Sequence, residues 1–196
     1  MLWTTLQRLL IPSWPKNRTH INGQPIGDAW PLEVLQQRSA GNGDATQLSI
    51  QPFHKLTQWL AYSLSVPFVR LLGLQWTNMD LGTGLPEYRN GGLFVDLDVL
   101  SLKPEAMELG KSNTGAEQPG FMADSDVIVE WRAMTVALLD ELHDLIKARF
   151  AEKGVTLSMA QMLEAGTWKG GRELAAKHRP LTRMSPIVVL GDGTLF

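Results

Sequence analysis

The sequence predicts a mainly α-helical fold with a small β element. Two long segments, 52–73 and 126–151, repeat apolar residues at three- and four-residue steps, as helices that bury one face do. Extended patterns are short. They flank a turn at residues 22–23 and occupy the C-terminal stretch 186–196, which favours a terminal hairpin or short strands. Long helical and short extended segments together indicate the mainly α class.

Length and composition are those of an ordinary soluble protein of one domain. The chain has 196 residues, of which 44% are hydrophobic and 19% charged. A net charge of −2 gives no basic field for nucleic acid or an anionic membrane. The absence of cysteine excludes disulfides and thiolate chemistry and fits a cytoplasmic location. No apolar run approaches the ~20 residues that a membrane span needs.

The pattern of residues 2–47 predicts short secondary-structure elements. Residues 2–10 have helical spacing and stop before Pro12, and no capping residue precedes them, which suggests a chain entered partway through a longer domain. Asn22-Gly23 favours a tight hairpin turn. Asp28 is expected to cap a helix that runs to about residue 37, and residues 39–47 read as a flexible linker.

The helix predicted over 52–73 has two faces of interest. Pro67 should kink it and Gly73 should close it. A lysine, a tryptophan and a tyrosine share the face beside the apolar stripe, so the lysine either snorkels at the surface or lines a pocket. The predicted core stripe is Phe53, Leu56, Leu60, Leu64 and Phe68, and the adjoining face is Lys55, Trp59 and Tyr62.

The longest predicted helix, 126–151, begins with capping oxygens at residues 124–126. Glu130 is either a boundary carboxylate or a second acid that faces a site. His143 lies among carboxylates, but its spacing to them makes a metal site improbable. The predicted apolar stripe is Val127, Trp131, Met134, Leu138, Leu142 and Leu145, and the predicted solvated face is Asp140, Glu141, His143, Asp144, Lys147 and Arg149.

The remaining segments divide into a loop and a last helix. Residues 103–123 are expected to form a flexible loop, and they lack the glycine that a phosphate-binding loop would need at position 105. Ser158 and Gln161 form a capping-box pattern that opens a helix to about residue 178. Small residues in that helix, at 165–166 and 170–171, allow close packing.

Residues 85–92, Leu-Pro-Glu-Tyr-Arg-Asn-Gly-Gly, form the stretch most typical of a functional site. They place a carboxylate, a phenol, a guanidinium and an amide side by side, with proline before them and paired glycines after them. Proline and glycine restrict or extend the backbone angles, so we expect a loop of defined shape. The alternative is a surface turn with ordinary polar residues.

Four longer motifs resemble a known family. They are FHKLTQWLAYSL at 53–64, LGTGLPEYRNGGLFVD at 81–96, SDVIVEWR at 125–132 and LEAGTWKGGR at 163–172. Over residues 14–196 the chain resembles the C-terminal half of the uracil-catabolism protein 4 family, domain-of-unknown-function family 1688. Members of that family are usually much longer than this chain, in agreement with the uncapped start. The resemblance implies a role in the degradation of uracil through ribosyl intermediates.

A more distant similarity implies a fold and a chemistry. Queuosine-salvage N-glycosidases, related in fold to helix-hairpin-helix DNA glycosylases, carry an Asp-Tyr-Arg motif after a helix that bears a lysine. Glu87-Tyr88-Arg89 and Lys55 match that order here, with Glu in place of Asp, which keeps the charge but moves it by one methylene. The similarity implies a helical glycosylase-like domain that needs no metal and no cofactor.

In this interpretation Glu87 is the catalytic carboxylate, which stabilises positive charge on the ribose and orients water. Arg89 or Lys55 would bind a phosphate or ribose hydroxyls, so we expect these three to converge in one pocket. Asp96 would bind hydroxyls or hold Arg89. The residues expected to bind substrate are Lys55, Tyr88, Arg89, Asp96, His54, Trp59, Asn90 and Glu130.

Two other functions stay open. One is a non-catalytic subunit that binds or regulates other enzymes of uracil degradation. The other is a nucleic-acid glycosylase, which a net charge of −2 without a clustered basic face disfavours. We therefore expect a small ribosyl substrate and possible enzyme partners, but neither nucleic acid nor a membrane.

Overall fold

The computed structural model describes residues 2–39 and 48–191 and divides the chain into two compact units, Met1–Gly82 and Thr83–Phe196. Helices dominate both units, as the sequence predicts. The segment 40–47, which makes up most of the predicted linker, lies outside the described residues. No helix within the described ranges is long and apolar enough to cross a membrane.

The first unit combines helices with two small antiparallel sheets. Its elements are α1 (Leu2–Leu10), a 3₁₀ turn (Ile11–Ser13), β1 (His20–Ile21), β2 (Gln24–Pro25), β3 (Ala29–Pro31), α2 (Glu33–Ser39), β4 (Ile50–Pro52), α3 (Lys55–Leu72) and a second 3₁₀ turn (Met79–Leu81). The pair β1–β2 closes through Asn22 and Gly23, both at positive φ, and confirms the predicted hairpin. β3 pairs with β4.

The role predicted for Asp28 is wrong. Residues 29–31 form β3 instead of opening a helix, and α2 begins only at Glu33. Asp28 is fully buried. Its Oδ1 accepts from Trp30 Nε1 at 2.8 Å and its Oδ2 accepts from the Lys55 backbone N–H at 3.1 Å. The carboxylate therefore ties β3 to the start of α3, and this use of its oxygens replaces the predicted cap.

The helix α3 confirms the predicted segment but not its predicted core face. It ends at Gly73 in the left-handed conformation, as expected, and it continues through Pro67. Its buried residues are Lys55, Thr57 and Ser65, whereas Leu56 is exposed and the rest of the predicted stripe after Phe53 is only half-buried. Lys55 is therefore not a snorkelling surface lysine.

The second unit packs helices around a short parallel strand pair. Its elements are α4 (Tyr88–Asp96), α5 (Pro104–Thr114), β5 (Gly120–Met122), α6 (Asp126–Ala151), α7 (Met159–Gln161), a π-helical segment (Met162–Trp168), α8 (Lys169–His178) and β6 (Val188–Leu190). β5 and β6 are parallel, with Phe121 opposite Val189. Phe121 of β5 forms a core with Ile128, Trp131 and Ile187.

The prediction of a loop over 103–123 is wrong. Residues 104–114 form α5, which Pro104 can begin because the first helical position needs no N–H donor, and Gly115 ends it at φ +64°. A Cβ on Gly110 would lie 2.6 Å from Phe121 Cζ, so this glycine lets α5 pack closely on β5. Tertiary packing therefore stabilises a helix whose own sequence gives only a weak signal.

The longest helix and the capping box are confirmed. Ser125 caps α6, and Ser158 with Gln161 forms the reciprocal capping box before the last helix. The predicted apolar stripe of α6 is shifted, since Met134 and Leu145 are exposed. The buried residues are Ile128, Val129, Trp131, Arg132, Thr135 and Leu139.

The C-terminal strand has a different partner from the one expected in a hairpin. β6 pairs with β5, which precedes α6 in the chain. The second strand of the predicted hairpin, 194–196, lies outside the described residues.

Candidate functional site

The stretch 85–92 is a helix N-terminus and not the predicted loop. Glu87 adopts an extended conformation and caps α4, and its Oε2 accepts from the backbone N–H groups of Arg89 at 2.8 Å and Asn90 at 3.2 Å. Helix N-termini carry unpaired N–H donors and favour negative charge. The half-buried carboxylate of Glu87 thus has a fixed position and a favourable electrostatic environment.

Asn90 holds this turn to the rest of the second unit. It is 1% exposed, its Nδ2 donates to the Leu85 carbonyl at 3.2 Å, and its Oδ1 accepts from Thr167 Oγ1 at 2.9 Å. Thr167 belongs to the π-helical segment. In this arrangement Asn90 positions Glu87 through the backbone, and direct binding of substrate by its amide stays a prediction.

Glycines allow the neighbouring helices to approach α4 closely. A Cβ on Gly91 would lie 2.8 Å from Thr135 Oγ1, and a Cβ on Gly171 would overlap the carbonyl oxygen of Arg89. Trp131 Nε1 donates to the Gly91 carbonyl at 3.3 Å. The N-terminal end of α4 is therefore packed between α6 and α8, which makes the backbone beneath Glu87 rigid.

Tyr88 and Arg89, the two residues that follow Glu87, contact each other through their side chains. The Arg89 guanidinium carbon lies 4.7 Å from the centre of the Tyr88 ring, a cation–π distance. Arg89 Nη1 also donates to the Arg183 carbonyl at 2.7 Å. Both side chains are half-buried. The cation–π pair thus directly follows the capping carboxylate in the chain, and a joint role of the three side chains in a site stays a prediction.

Asp96 does not hold Arg89 as predicted. It lies at the other end of α4 and forms a bidentate pair with Arg179, with N–O distances of 2.8 Å and 2.6 Å. The Asp96 side chain is only 4% exposed. The length of α4 explains the difference, because residues 89 and 96 are about two helical turns apart. Binding of substrate hydroxyls by Asp96 stays a prediction.

The segment after α8 is fixed through its carbonyl oxygens. Arg89 Nη1 donates to Arg183 O, Arg179 Nε donates to Met184 O at 2.7 Å, and Gln118 Nε2 donates to Ser185 O at 2.8 Å. Three consecutive carbonyls are thus each bound by a side chain from a different part of the unit. This carbonyl-bound segment, residues 183–185, lies beside Arg89.

Residues on α6 divide into exposed and buried positions. Glu130 is exposed, which agrees with the boundary-carboxylate alternative. Arg132 is fully buried and was not among the residues predicted for the site. The signal was present, because Arg132 shares a helical face with Ile128, Thr135 and Leu139, and an arginine on such a face is unusual.

Asp140 accepts a hydrogen bond from the backbone of a distant part of the chain, so the face predicted to be solvated is not purely solvated. Its Oδ1 accepts from the Gly84 backbone N–H at 2.6 Å. Burial raises the pKa of the Asp140 carboxyl above its ordinary value of 3.8, the bond from Gly84 opposes this, and nearby Asp144 adds to it. Asp140 therefore anchors the backbone that leads into the stretch 85–92.

The other predicted binding residues belong to the first unit. His54 precedes α3 at φ +45°, a conformation that is rare outside glycine. Lys55 is buried, and Trp59 is 55% exposed on the same helix. Arg18 was not predicted from the sequence to be buried or to contact an aromatic ring. It is buried, and its guanidinium lies 5.3 Å from the centre of the Trp30 ring.

The chemistry available in the second unit is that of the anchored Glu87 carboxylate, and a cation–π pair follows it directly in the chain. Such a group can stabilise developing positive charge and orient a water molecule. Within residues 2–39 and 48–191, no group of three or more His, Asp or Glu side chains is placed to hold a metal ion.

Comparison with known proteins places the chain in a family. The family model described as "Protein of unknown function (DUF1688)" matches residues 1–196. The chain is 53% identical over 196 residues to Protein urg3 of Schizosaccharomyces pombe, and the match covers the whole chain and 44% of that protein. It is 44% identical over 203 residues to Uracil catabolism protein 4 of Lachancea kluyveri, and this match covers the whole chain and 45% of that protein.

The chain therefore spans less than half the length of these curated relatives. No solved structure matches it, so the glycosylase-like fold stays a prediction. Because the family model matches every residue, and because both relatives match over the whole chain, the chain belongs to the DUF1688 family.

Proposed function

We propose that the chain acts in uracil catabolism, as part of a family domain that hydrolyses the N-glycosidic bond of a ribosyl intermediate such as ribosylurea or its phosphate. The pathway is supported by the relative named Uracil catabolism protein 4. The reaction is supported by the environment of Glu87.

The capped helix end carries this proposal. Glu87 is a carboxylate held by two backbone N–H donors, and the two residues that follow it, Tyr88 and Arg89, form a cation–π pair. Asn90 and Gly91 fix the backbone under it through buried contacts. A charged group in a fixed position needs no reorganisation during the reaction, which is the basis of electrostatic catalysis.

The chemistry follows from the bond that breaks. As the C1′–N bond lengthens, positive charge develops on the ribose ring, and the Glu87 carboxylate stabilises it. Water adds to C1′, the bonding electrons leave with nitrogen, and the proton lost by water goes to the departing urea or base. Arg89 would bind a phosphate or a hydroxyl through its remaining N–H donors.

A chimaera tests this role. In it, the region of the Lachancea kluyveri relative that matches this chain is replaced by the chain itself. Glu87→Gln keeps a side-chain oxygen that can accept from Arg89 N–H, but it removes the charge. We expect hydrolysis of ribosylurea, its phosphate or uridine nucleotides to fall by a factor on the order of 10² to 10⁴. The thermal midpoint should fall by no more than about 4 °C, because the helix end loses a favourable charge but keeps an acceptor. Release of urea or base is the readout.

Two further variants complete the test. Glu117→Gln removes an exposed carboxylate and should leave hydrolysis unchanged. Glu87→Ser supplies a good capping hydroxyl without a charge, so it should keep the stability and lose the activity. Full activity in Glu87→Gln would remove Glu87 from the reaction.

A non-catalytic role is the second candidate. It is favoured by the structural partners of Glu87, Asn90 and Asp96, since each of these polar side chains already contributes to the fold. In that case the chimaera would release neither urea nor base from any of these substrates. It would instead co-purify with another enzyme of uracil degradation, and Glu87→Gln would not change that association.

A further inference from the structure

The helix α3 buries polar residues and exposes apolar ones. Its buried positions are Lys55, Thr57 and Ser65. Trp59, Val66 and Val69 are 55%, 47% and 45% exposed. These three residues, here called the outer face, recur at steps of seven and three and so lie on one side of the helix.

The outer face is unusual for a helix surface. The charged residues of α3 are Lys55, which is buried, and Arg70, which is exposed four residues after Val66 and is the charged member of this otherwise uncharged side. A helix that is apolar on its exposed side normally packs against another element, because solvent-facing surfaces of helices are polar. The composition of α3 therefore indicates an additional packing partner.

A cavity lies beside this helix within the first unit. It has a volume of about 580 Å³, and no charged residue lines it. Tyr62 of α3 and Trp3 of α1 contribute to its walls, together with Trp76, whose ring stacks on Phe68 at a centre-to-centre distance of 6.2 Å. Polar side chains without charge, such as Gln58, Gln75 and Asn78, also line it, so the cavity is neutral and suits a partner that brings apolar groups and uncharged polar groups.

The longer relatives indicate what that partner is. The match covers 44% and 45% of the two curated proteins, and it lies in their C-terminal portion. In these relatives the remaining part of the chain therefore leads into the region that corresponds to α1. Here α1 packs on α3, with Thr57 Oγ1 donating to Gln7 Oε1 at 2.6 Å, and its residues Leu2 and Trp3 line the cavity.

We propose that the outer face and this cavity form the docking surface for the part of the family chain that precedes α1 in the longer relatives. That part arrives at Leu2 and Trp3, so the cavity wall and α3 are the first surfaces it meets. Its contacting side chains are apolar or polar without charge, because the docking surface offers apolar area and neutral hydrogen-bonding groups.

Cysteine labelling tests the proposal directly, because the chain contains no cysteine of its own. Val66→Cys is made in the chain alone and in the chimaera with the Lachancea kluyveri relative. A maleimide then reports accessibility, measured on the peptide that contains position 66 by mass spectrometry. We expect the labelling rate to fall by at least about tenfold in the chimaera, as a thiol loses contact with solvent.

Leu145→Cys is the matched control. Leu145 is 67% exposed on α6 in the second unit, so its labelling rate should be the same in both proteins. Equal labelling of Val66→Cys in the chain and the chimaera would overturn the proposal.

A binding experiment separates the possible occupants. The preceding part of the relative is co-expressed with the chain, and we expect a one-to-one complex in size-exclusion chromatography with light scattering. The double variant Val66→Glu, Val69→Glu should weaken it by at least about 30-fold, whereas Leu145→Glu should not. Circular dichroism verifies that the variants are folded.

Three results would contradict the proposal. The first is a complex that the double variant does not weaken. The second is a homodimer of the chain that the double variant makes monomeric, which would show that a second copy covers the face. The third is absence of the complex; binding of a neutral heterocycle such as uracil, lost in Tyr62→Ala, would then assign the cavity to a small molecule.

Discussion

At the scale of single residues, the pair Asp96–Arg179 connects α4 to the end of α8. Its two short bonds are bidentate, and the carboxylate is almost completely buried. Removal of one member of such a pair leaves the other charge without compensation, which costs more than the pair contributes.

We therefore expect Asp96→Asn to lower the free energy of unfolding by about 3 kcal/mol, measured by urea denaturation. Asp98→Asn is the control. Asp98 is exposed at φ +57°, a conformation that asparagine adopts readily, so its replacement should leave stability nearly unchanged. A similar loss in both variants would mean that the pair with Arg179 contributes nothing specific.

Asp140 gives the second unit a pH dependence of known sign. Burial raises the pKa of its carboxyl in the folded protein above the ordinary value of 3.8. The folded state then binds more protons than the unfolded state. The stability that protonation of Asp140 contributes is therefore fully present below pH 3.8, and it is lost as the pH rises through the pKa of the folded state.

In Asp140→Asn the part of the pH dependence of the free energy of unfolding that comes from this carboxyl should disappear. The amide oxygen can still accept from Gly84 N–H, so the anchor persists without the buried charge. Urea denaturation at a series of pH values from about 3 to 7 measures the change. Glu152→Gln, at an exposed position after α6, should retain the slope of the parent. An unchanged slope in Asp140→Asn would contradict the interpretation.

At the scale of elements, the close approach of α4 and α8 depends on Gly171. A Cβ at this position would overlap the Arg89 carbonyl oxygen, and a backbone atom cannot rotate away as a flexible side chain can. We expect Gly171→Ala to lower the free energy of unfolding by about 2 kcal/mol or more and to displace Arg89.

Gly166→Ala is the matched control, since its Cβ would meet only Met162 Cγ at 3.9 Å. This change should be neutral or slightly stabilising, by up to about 1 kcal/mol, because alanine restricts the unfolded chain. If both alanines are tolerated equally in thermal and urea unfolding, close packing at Gly171 is not required.

Helix positions were predictable where end signals and periodicity agreed. Ser125 before α6, the capping box at Ser158 and Gly73 after α3 are local signals, and each functions as expected. α5 was not predictable in this way, because it contains Gly110 and ends in Ser-Asn-Thr, and its stability depends on contact with Phe121.

The buried face of α3 was not predictable from hydrophobic spacing alone. The spacing rule assumes that the apolar face is the one that packs within the same chain. Here Lys55, Thr57 and Ser65 are buried although they do not form an apolar stripe, and Asp28 accepts a hydrogen bond from the Lys55 backbone. The contact between Asp28 and the start of α3 depends on a strand pairing, β3 with β4, that no local pattern specifies.

The candidate site was only partly predictable. Glu87, Tyr88 and Arg89 are neighbours in the sequence, and the sequence predicted that they lie in a loop. They lie instead at a helix N-terminus, where their side chains and backbone groups have different hydrogen-bond partners from those of a loop. The cap on Arg89 and Asn90 N–H depends on the helix start, and the contact of Arg89 with Arg183 joins positions that are remote in sequence. Contacts of this kind follow from the packing of α4 on α8.

At the scale of the whole molecule, the chain has fewer residues than its curated relatives to build a substrate pocket. The relatives that it matches are more than twice as long. We expect the chain alone to hydrolyse ribosyl substrates at least about tenfold more slowly than the chimaera, because a pocket normally encloses most of its ligand. Equal turnover of the two proteins under the same conditions would show that the chain suffices for catalysis.

The bonds to the carbonyl-bound segment 183–185 affect which amino-acid substitutions this part of the chain can accept. A backbone carbonyl is present whichever amino acid occupies the position, so donors such as Arg89, Arg179 and Gln118 recognise the path of the chain and not its side chains. Met184, whose carbonyl accepts from Arg179 and which is 44% exposed, can therefore be exchanged without loss of these bonds. The segment is a place where family members can accumulate different side chains next to Arg89 while the route of the backbone stays constant.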